Sequence, residues 1–390
     1  MRILMISDVY VPRVNGVSTS IQTFRKELED LGHEVYLIAP HYEQCLEQEH
    51  RLFRVESRGV PGDPEDRMMK YGKVLGLIPT IEKLDIDLVH IQTPFVAHYA
   101  GMKIARALFL PVIATYHTLF EEYLYHYIPW LPKMFLRWCA RQFSLKQCQQ
   151  LDGIITPSSI IAGLLGEYGV TTQPVTIPTG IELAKFAEGD GENFRERLMI
   201  STEKRILLNV SRVAFEKNID SLFEMLRMTL IKIPEAHLVI AGEGPAKVSL
   251  MQQVKEMGLS DHVTFVGYLD RNSELIDCYH AADLFVFSSL TETQGLVLLE
   301  AMASGIPVVS VAAMGTKEVL RNDLGAKITD GTADDFSAKV IEVLDNKSLH
   351  TNLSQAAIAY AAEWDPRKLA IKMESYYCKV AFGQPPRVTP

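Results

Sequence analysis

The chain has 390 residues, and its 39 Lys and Arg against 48 Asp and Glu give a formal net charge of −9. That balance argues against general nucleic-acid binding, which needs a dense basic surface. Hydrophobic residues make up 47% and charged residues 22% of the chain, as in an ordinary globular protein, and the length predicts two or three domains.

Targeting and cysteine signals are both weak. We expect no membrane-spanning helix, because no run of 18 apolar residues occurs. The first residues leave too little room for a secretory signal. The five cysteines contain no Cys-x-x-Cys pair, so we expect neither a disulfide framework nor a zinc site, and predict reduced thiols in a cytoplasmic protein.

Short β-branched runs alternate with longer amphipathic stretches along the whole chain. This pattern is typical of parallel sheets wrapped by helices. The predicted strands are 3–7, 34–38, 88–92, 112–116, 153–157 and 175–178, followed by 206–211, 237–241, 263–268, 284–288 and 307–311. Two complete series predict an α/β protein with two doubly wound domains that meet near residue 178, and a final helix is predicted over 365–382. Ligands in such sheets lie beyond the carboxyl ends of the strands.

In the first half, two of the predicted strands end at residues suited to ligand binding. Asn15-Gly16-Val17 follows the first strand and lets backbone approach a ligand at a helix N-terminus; an ordinary turn explains it equally well. His117 ends the strand 112–116, although a lone His is more often structural. Asp85-Ile86-Asp87 has the Asp-x-Asp form of a metal site, but it precedes a strand, so we expect no metal there.

Residues 123–151 carry cations and no Asp or Glu, inside a chain of net charge −9. Trp130 and Trp138 supply aromatic surface beside these cations. A basic amphipathic helix of this kind, beginning near residue 131, can lie on an anionic membrane. A core helix with a solvated basic edge is the alternative. The cations, spaced to share one side of that helix, are Lys133, Arg137, Arg141 and Lys146.

The second half opens with a pair of cations. Arg212 and Lys217 follow its first strand, and their spacing across a strand-to-helix turn lets both reach one diphosphate. Two solvated surface cations are the alternative. Gly242-x-Gly244 follows the next strand, where a tight turn alone accounts for it.

The strongest pattern lies between residues 291 and 305. A turn that begins at Glu292 follows a strand and opens a helix that contains Glu300. These two carboxylates lie about 12 Å apart at about 1.5 Å per residue. The span suits a ligand with polar groups on both sides of a diphosphate, as in a nucleotide sugar. The backbone amides at the positive end of this helix are those of Gln294, Gly295, Leu296 and Val297.

Together and in this order, these motifs resemble those of the family-4 retaining glycosyltransferases of the GT-B fold, over nearly the whole chain. The matching motifs are Asn15-Gly16-Val17, Pro178-Thr179-Gly180-Ile181, Arg212-x4-Lys217, Gly242-x-Gly244-Pro245 and Glu292-x7-Glu300. The resemblance implies two Rossmann-like domains facing a cleft, with 1–178 binding the acceptor, 179–364 binding the nucleotide sugar, and the helix 365–382 packing back on the first domain. It also implies a reaction that keeps the donor's anomeric configuration and needs neither a metal nor a cofactor.

The resemblance also implies roles for individual residues. Glu292 would hold the donor sugar hydroxyls and Glu300 the ribose hydroxyls. Arg212 and Lys217 would neutralise the departing diphosphate, so that a metal is redundant. His117 would hydrogen-bond the donor sugar near the reacting carbon. The other implied donor contacts are Asn15, Gly16, Val17, Gly242 and the amides of Gln294, Gly295, Leu296 and Val297.

A narrower resemblance lies in the segments 90–95 and 116–123, which look like the branch that glycosylates diacylglycerol or phosphatidylinositol-type lipids. Glu121 and Glu122 lie just upstream of the basic stretch 123–151, and we predict that they face the acceptor hydroxyl, with ordinary surface carboxylates as the alternative. We therefore expect transfer of a hexose from a donor such as UDP-glucose to a membrane glycerolipid at the inner face of the cell membrane. The predicted membrane and acceptor residues are Glu121, Glu122, Trp130, Lys133, Arg137, Trp138 and Arg141.

Four other functions were weighed against these motifs. A related enzyme of polysaccharide or lipopolysaccharide assembly shares much of the pattern. A nucleotide-sugar epimerase or a sugar phosphorylase also fits a GT-B-like fold, although a glycogen-type phosphorylase needs a pyridoxal lysine and a longer chain. A non-catalytic sugar-nucleotide sensor is disfavoured by the two intact pairs Arg212/Lys217 and Glu292/Glu300, since a sensor could lose its sugar contacts.

Overall fold

A computed structural model describes residues 1–13, 15–43, 50–60, 63–117 and 133–383. The chain divides into two compact units. One runs from Met1 to Gly180 and takes in the segment from Pro366 onward, and the other spans Ile181–Asp365. Each unit is built on a parallel sheet of its own.

The N-terminal unit contains a seven-stranded sheet and a small antiparallel hairpin within the described residues. Its strands are β1 (Arg2–Ile6), β2 (Glu34–Pro40), β3 (Leu52–Val55), β4 (Ser57–Val60), β5 (Asp63–Met69), β6 (Leu88–Ile91), β7 (Val112–Thr115), β8 (Gly153–Thr156) and β9 (Val175–Thr176). Its first helices are α1 (Gly16–Asp30), α2 (Tyr71–Leu75), α3 (Ile78–Glu82), α4 (Val96–Leu108), α5 (Lys133–Cys148) and α6 (Ser159–Glu167). The large sheet has the order β3-β2-β1-β6-β7-β8-β9, and β4 pairs with β5.

The C-terminal unit is built on a six-stranded parallel sheet. Its strands are β10 (Arg205–Val210), β11 (Ala236–Ala241), β12 (Val263–Gly267), β13 (Leu284–Phe287), β14 (Val308–Val311) and β15 (Ala326–Thr329). Its α-helices are α7 (Leu183–Phe186), α8 (Gly191–Arg197), α9 (Ser221–Thr229), α10 (Lys247–Glu256), α11 (Glu274–His280), α12 (Leu296–Ala303), α13 (Thr316–Val319), α14 (Ala333–Asp345) and α15 (Lys347–Ala361). The strand order is β12-β11-β10-β13-β14-β15.

Both sheets are covered by hydrophobic clusters on both faces. In β1, Leu4 and Ile6 belong to one buried cluster, whereas Ile3 and Met5 belong to the other. Successive strand side chains point to opposite faces, so one apolar run supplies two cores. This architecture confirms the predicted α/β, doubly wound fold class.

The predicted strands all occur, each within two residues of its predicted ends. The sequence prediction missed β3, β4, β5 and β15. Strands β3 and β15 are edge strands of their sheets, and each carries a charged residue, Arg54 and Lys327 respectively. Edge strands tolerate such residues because one side of the strand is unpaired, and this weakens the apolar pattern.

The final helix, α16 (Pro366–Phe382), packs on the N-terminal unit as predicted. Its buried residues Ala370, Met373 and Tyr377 join the cluster that contains Ile3 and Met5. The backbone N–H of Ile154 in β8 donates to the Tyr376 hydroxyl at 3.0 Å. A helix that follows the second unit in sequence therefore completes the core of the first.

Candidate functional site

In the C-terminal unit, the candidate site lies where the strand order reverses beside β10. The chain goes from β10 outward to β12 and then returns to the other side of β10 with β13. Ligands of doubly wound sheets lie at this point, beyond the carboxyl ends of the two strands. The turn after β10 carries Arg212 and Lys217, and the turn after β13 carries Glu292.

Hydrogen bonds join these two turns and the strands that they follow. The Ser288 hydroxyl donates to the carbonyl of Asn218 at 2.8 Å, and the Asn209 side-chain amide in β10 donates to the Val286 carbonyl of β13 at 2.9 Å. Asn218 has a left-handed backbone, with φ 54°, a conformation that Asn adopts more readily than most residues. The two turns are thus held in a fixed relation before any ligand binds.

Lys217 and Glu292 form an ion pair within the site. Lys217 Nζ lies 2.5 Å from Glu292 Oε1, and the two side chains are 16% and 17% exposed. Arg212 lies half-buried in the same turn as Lys217. The structure therefore brings together Lys217, which was predicted to bind the diphosphate of the donor, and Glu292, which was predicted to bind its sugar.

The turn at 292–295 leads into α12 with the geometry predicted for a helix N-terminus. Gly295 caps the helix with φ 92°, a left-handed conformation that favours glycine. The N–H of Gly315 donates to the Glu292 carbonyl at 2.9 Å, which anchors the turn from its other side. The predicted amides, from Gln294 to Val297, thus lie at the start of α12, where the helix dipole favours an anion.

Glu300 has a different environment from Glu292. It is 1% exposed, it forms an ion pair with Arg271, and it accepts a hydrogen bond from the Tyr279 hydroxyl at 2.8 Å. Burial, and then the Glu300 carboxylate, raises the pKa of the Tyr279 phenol well above its ordinary value, so this phenol remains a donor. Both Glu300 oxygens therefore have partners inside the protein, and its ribose contact stays a prediction that requires an exchange of partners.

The sequence prediction overlooked Arg271 and Tyr279. Arg271 lies in the loop after β12, at a strand end where ligand residues gather, and this position was the signal that could have found it. Tyr279 lies inside α11 among buried residues, and no local pattern distinguishes it from a core aromatic side chain.

Gly242 has a packing role in the structure. A Cβ atom at this residue would lie 1.9 Å from the carbonyl oxygen of Ser211, in the turn that carries Arg212. The N–H of Val213 also donates to the Glu243 carbonyl at 2.8 Å. The Gly-x-Gly turn thus supports the Arg212 turn by close backbone contact, and direct donor binding by Gly242 stays a prediction.

In the N-terminal unit, Asn15 acts as the N-cap of α1. Its side-chain oxygen accepts from the Ser18 N–H at 2.9 Å, and its own N–H donates to the Ser18 hydroxyl at 2.9 Å. This reciprocal pair is a capping box. Gly16, the first helical residue, is exposed, and no heavy atom lies within 4 Å of the position of a Cβ atom there. Val17 follows it, half-buried.

His117 lies just beyond β7, at the carboxyl end of the N-terminal sheet. Its Nε2 is 3.0 Å from Gln92 Oε1, and burial lowers the pKa of the imidazole to about 4, so His117 is neutral at pH 7. Asp8, beyond β1, accepts from the Thr93 hydroxyl at 2.8 Å and from the Ala97 N–H at 3.1 Å. The sequence prediction included neither Gln92 nor Asp8 among the site residues.

Helix α5 exposes three of the predicted basic and aromatic residues. Arg137, Trp138 and Arg141 are exposed, Trp138 by 58%, and the ring of Trp138 stacks on that of Phe135 at 6.2 Å between centroids. Arg141 also donates to the Glu167 carbonyl at the end of α6. Lys133 begins the helix. The predicted acceptor residues Glu121, Glu122 and Trp130 lie outside the described residues.

The described residues contain neither a metal-binding cluster nor a helix that could span a membrane. Among the described residues, no three or more His, Cys, Asp or Glu side chains are grouped so as to hold a metal ion. No helix in the described part of the chain is long and apolar enough to span a membrane.

Comparisons with known proteins agree over nearly the whole chain. The family model described as Glycosyltransferase Family 4 matches residues 14–185, and that described as Glycosyl transferases group 1 matches residues 190–360. The alpha-monoglucosyldiacylglycerol synthase of Streptococcus pneumoniae is 37% identical over 320 residues, which cover 80% of this chain and 71% of that protein. The synthase of the same name from Acholeplasma laidlawii is 28% identical over 319 residues, 79% of this chain and 80% of that protein.

Solved structures show the same fold. HepE of Anabaena, in complex with UDP-glucose, superposes with a TM-score of 0.78 at 17% identity, over 96% of this chain and 98% of that chain. The two doubly wound units therefore form a GT-B protein. The chain belongs to the family-4 glycosyltransferases and is similar to the branch that contains the diacylglycerol glucosyltransferases.

The buried Arg271–Glu300 pair generates a prediction about stability. We expect Arg271→Ala to lower the free energy of unfolding of the C-terminal unit by about 3–5 kcal/mol at pH 8, because it leaves a buried carboxylate without its counter-ion. An unpaired buried carboxyl group has a raised pKa in the folded state, so its destabilising effect decreases as the pH falls. Urea unfolding at pH 8 and at pH 5.5 measures both effects.

Arg197→Ala is the matched control. Arg197 and Glu274 form an ion pair at 2.6 Å in the same unit, with side chains 45% and 35% exposed, and an exposed pair contributes about 1 kcal/mol or less. An equal loss of unfolding free energy in the two variants would show that burial of the Arg271–Glu300 pair makes no additional contribution to stability.

Proposed function

We propose that this protein is a retaining, metal-independent glycosyltransferase that transfers glucose from UDP-glucose to diacylglycerol or a similar membrane glycerolipid. The observation that carries the donor half of the proposal is the pairing of Lys217 and Glu292 across two turns at the reversal point of the C-terminal sheet. The likeness to HepE, which was solved with UDP-glucose, supports the same donor. The likeness to two alpha-monoglucosyldiacylglycerol synthases supports the acceptor.

The ion pair gives the donor two complementary contacts. A diphosphate that enters beside β10 draws Lys217 towards its oxygens, with Arg212 as the second cation. Glu292 is then released to accept hydrogen bonds from the hydroxyls of the donor sugar. The amides at the start of α12 add further stabilisation to the negative charge that develops on the diphosphate as it departs.

Retention follows from an attack on the same face as the leaving group. The bond between the anomeric carbon and the diphosphate oxygen breaks, and a bond from that carbon to the acceptor oxygen forms. The proton of the acceptor hydroxyl passes to an oxygen of the departing diphosphate. This scheme needs neither a protein base nor a metal, because Lys217, Arg212 and the helix amides stabilise the leaving group.

The two units have separate tasks in this proposal. The C-terminal unit binds the nucleotide sugar, with Glu300 exchanging Arg271 for the ribose hydroxyls, and the N-terminal unit binds the acceptor, with His117 beside the donor sugar. The exposed face of α5, which presents Arg137 and Trp138 and contains no Asp or Glu, lies on the anionic inner surface of the cell membrane.

A donor-by-acceptor matrix tests the proposal. We expect lipid-linked glucose when UDP-glucose is combined with diacylglycerol. We expect little product when UDP-galactose or GDP-mannose replaces the donor, when phosphatidylinositol replaces the acceptor, or when no lipid is added. Excess EDTA should leave the rate unchanged, and the coupling constant of the anomeric proton in the product should show the donor's configuration. Transfer only to a saccharide acceptor would support polysaccharide assembly instead, and a metal-reversible loss in EDTA would overturn metal independence.

The charge on Lys217 generates a second prediction. We expect Lys217→Met to lower turnover by about 10²–10³-fold, as for removal of one group that stabilises developing negative charge. Lys339→Met is the matched control, because Lys339 also forms an ion pair, with Asp335, but on α14. Steady-state kinetics with saturating donor compare the two. A Lys217 variant as active as the Lys339 variant would remove this cation from the mechanism.

The exposed face of α5 generates a third prediction. We expect the double variant Arg137→Gln/Trp138→Ala to sediment at least about fivefold less with anionic phosphatidylglycerol liposomes, because each basic residue near such a surface contributes about 1 kcal/mol. Added salt should weaken the binding of the unmodified protein. The control is Ile231→Ala/Lys232→Gln, a neighbouring pair of exposed apolar and basic residues in the C-terminal unit. An equal loss of liposome binding in both variants would show that α5 is not the membrane-binding face.

A further inference from the structure

The N-terminal sheet has a reversal point of its own, between β1 and β6. The chain goes from β1 outward to β2 and β3 and later returns to the other side of β1 with β6. A ligand of a doubly wound sheet lies at such a point, beyond the carboxyl ends of the two strands. Residues 92–95, which follow β6, and the first turn of α4 border this place. A ligand that binds the N-terminal unit here therefore meets the start of α4.

Asp8 fixes the start of α4 from the neighbouring strand. Its carboxylate accepts from the Thr93 hydroxyl at 2.8 Å and from the Ala97 N–H at 3.1 Å. Its own N–H donates to the Thr93 hydroxyl oxygen at 2.6 Å. The N-cap residue of α4 is Phe95, whose side chain cannot accept from the N–H groups that a helix leaves unsatisfied at its start. Asp8 supplies that acceptor, so hydrogen bonds within the protein set the position of this helix end.

Two aromatic residues, which we call the aromatic rim, lie exposed on the first turns of α4. Phe95 is 54% and Tyr99 52% exposed, and residues four apart lie on the same side of a helix. The other side of α4 packs closely on β6, where a Cβ atom at Gly101 would lie 2.8 Å from Ile91 Cγ1. The Tyr99 ring contacts the His98 imidazole edge-on, at 5.3 Å between centroids. Burial lowers the pKa of His98 to about 4, so this neighbour is uncharged at neutral pH.

The chemistry of the aromatic rim favours an apolar ligand. Between Phe95 and Tyr99 the sequence is Val96-Ala97-His98, with no Asp, Glu, Lys or Arg. Contact of aromatic side chains with apolar groups is favourable in proportion to the area removed from water. An acyl chain offers such area and needs no hydrogen-bond partner. A water-soluble saccharide needs polar partners, and within this pair only the Tyr99 hydroxyl supplies one.

We propose that the aromatic rim binds an acyl chain of the glycerolipid acceptor and thereby sets a preference for longer acyl chains. The identity of the acceptor rests on the proposed function, whereas the position of the rim rests on the geometry of the N-terminal unit alone. Phe95 and Tyr99 contact the chain and not the reacting atoms, so they determine specificity. Their removal weakens the binding of the acceptor, and the donor site in the other unit keeps its groups.

Acyl-chain length tests the contact. Dibutanoylglycerol and dihexanoylglycerol serve as acceptors below the concentrations at which they aggregate, so that partition into a membrane plays no part. Each CH₂ group buried by the rim raises kcat/KM up to about fourfold, which corresponds to about 0.8 kcal/mol. We expect the unmodified enzyme to prefer dihexanoylglycerol by at least about fivefold. In Phe95→Ala/Tyr99→Ala this preference should fall below about twofold, mainly through a higher KM for dihexanoylglycerol.

Phe109→Ala is the matched control. Phe109 is 95% exposed and caps the other end of α4, about 21 Å from Phe95 at about 1.5 Å per residue. This variant removes exposed aromatic surface from the same helix but away from the reversal point, so its preference should match that of the unmodified enzyme. An unchanged preference in the double variant, or an equal loss in Phe109→Ala, would overturn the proposal. A double variant that binds liposomes less but keeps its preference would assign the rim to the bilayer surface, which also overturns it.

Photo-crosslinking tests the contact without turnover or substitution. The unmodified protein is irradiated with dihexanoylglycerol that carries a diazirine at the end of one acyl chain, and the labelled tryptic peptides are identified by mass spectrometry. We expect the label in peptide 84–103, which contains the aromatic rim. Labelling confined to other peptides would overturn the proposal. A protein that is labelled in this peptide but glucosylates no diacylglycerol would refute the proposed reaction and leave the lipid contact standing.

Discussion

The candidate donor site depends on the reversal of strand order beside β10. Parallel strands end at the same edge of a sheet, and the chain leaves β10 and β13 in opposite directions, so the turns that follow them border a common crevice. Ser288 and Asn218 hydrogen-bond these turns together. Residues far apart in sequence, such as Lys217 and Glu292, thereby become neighbours. The helix α12 begins at the same crevice and adds its dipole without any additional cation.

The C-terminal site contains two opposite-charge pairs that differ in burial. Lys217 and Glu292 remain partly exposed, so a charged ligand can exchange with either partner at modest cost. Glu300 is buried and is bound by both Arg271 and Tyr279. Separation of Arg271 from Glu300 leaves a buried carboxylate without its counter-ion, which is strongly unfavourable. The first pair is suited to a leaving diphosphate. The second pair is costly to separate, so only a ligand whose donors satisfy the Glu300 carboxylate can replace Arg271.

The N-terminal unit relies on neutral groups instead. His117, Gln92 and His90 are linked by hydrogen bonds, and burial keeps both imidazoles uncharged at neutral pH. Neutral groups of this kind form directed hydrogen bonds and need no counter-ion. Tyr377 brings α16 into this network. The helix therefore contributes to the interior of the N-terminal unit as well as to its packing, although it follows the second unit in sequence.

The sequence alone determined the local features of this protein: the strands of both sheets except β3 and β15, the capped start of α1, and the glycine that begins α12. Each of these follows from a short-range pattern of apolar, capping or left-handed residues. It also placed Arg212, Lys217 and Glu292 at strand ends. Only the tertiary structure decided which side chains are partners. Lys217 and Glu292 are 75 residues apart, and His90 and Tyr377 are 287 apart. Such partners depend on strand order and on the return of α16, which local residue patterns do not encode, because long-range contacts arise only when whole elements pack.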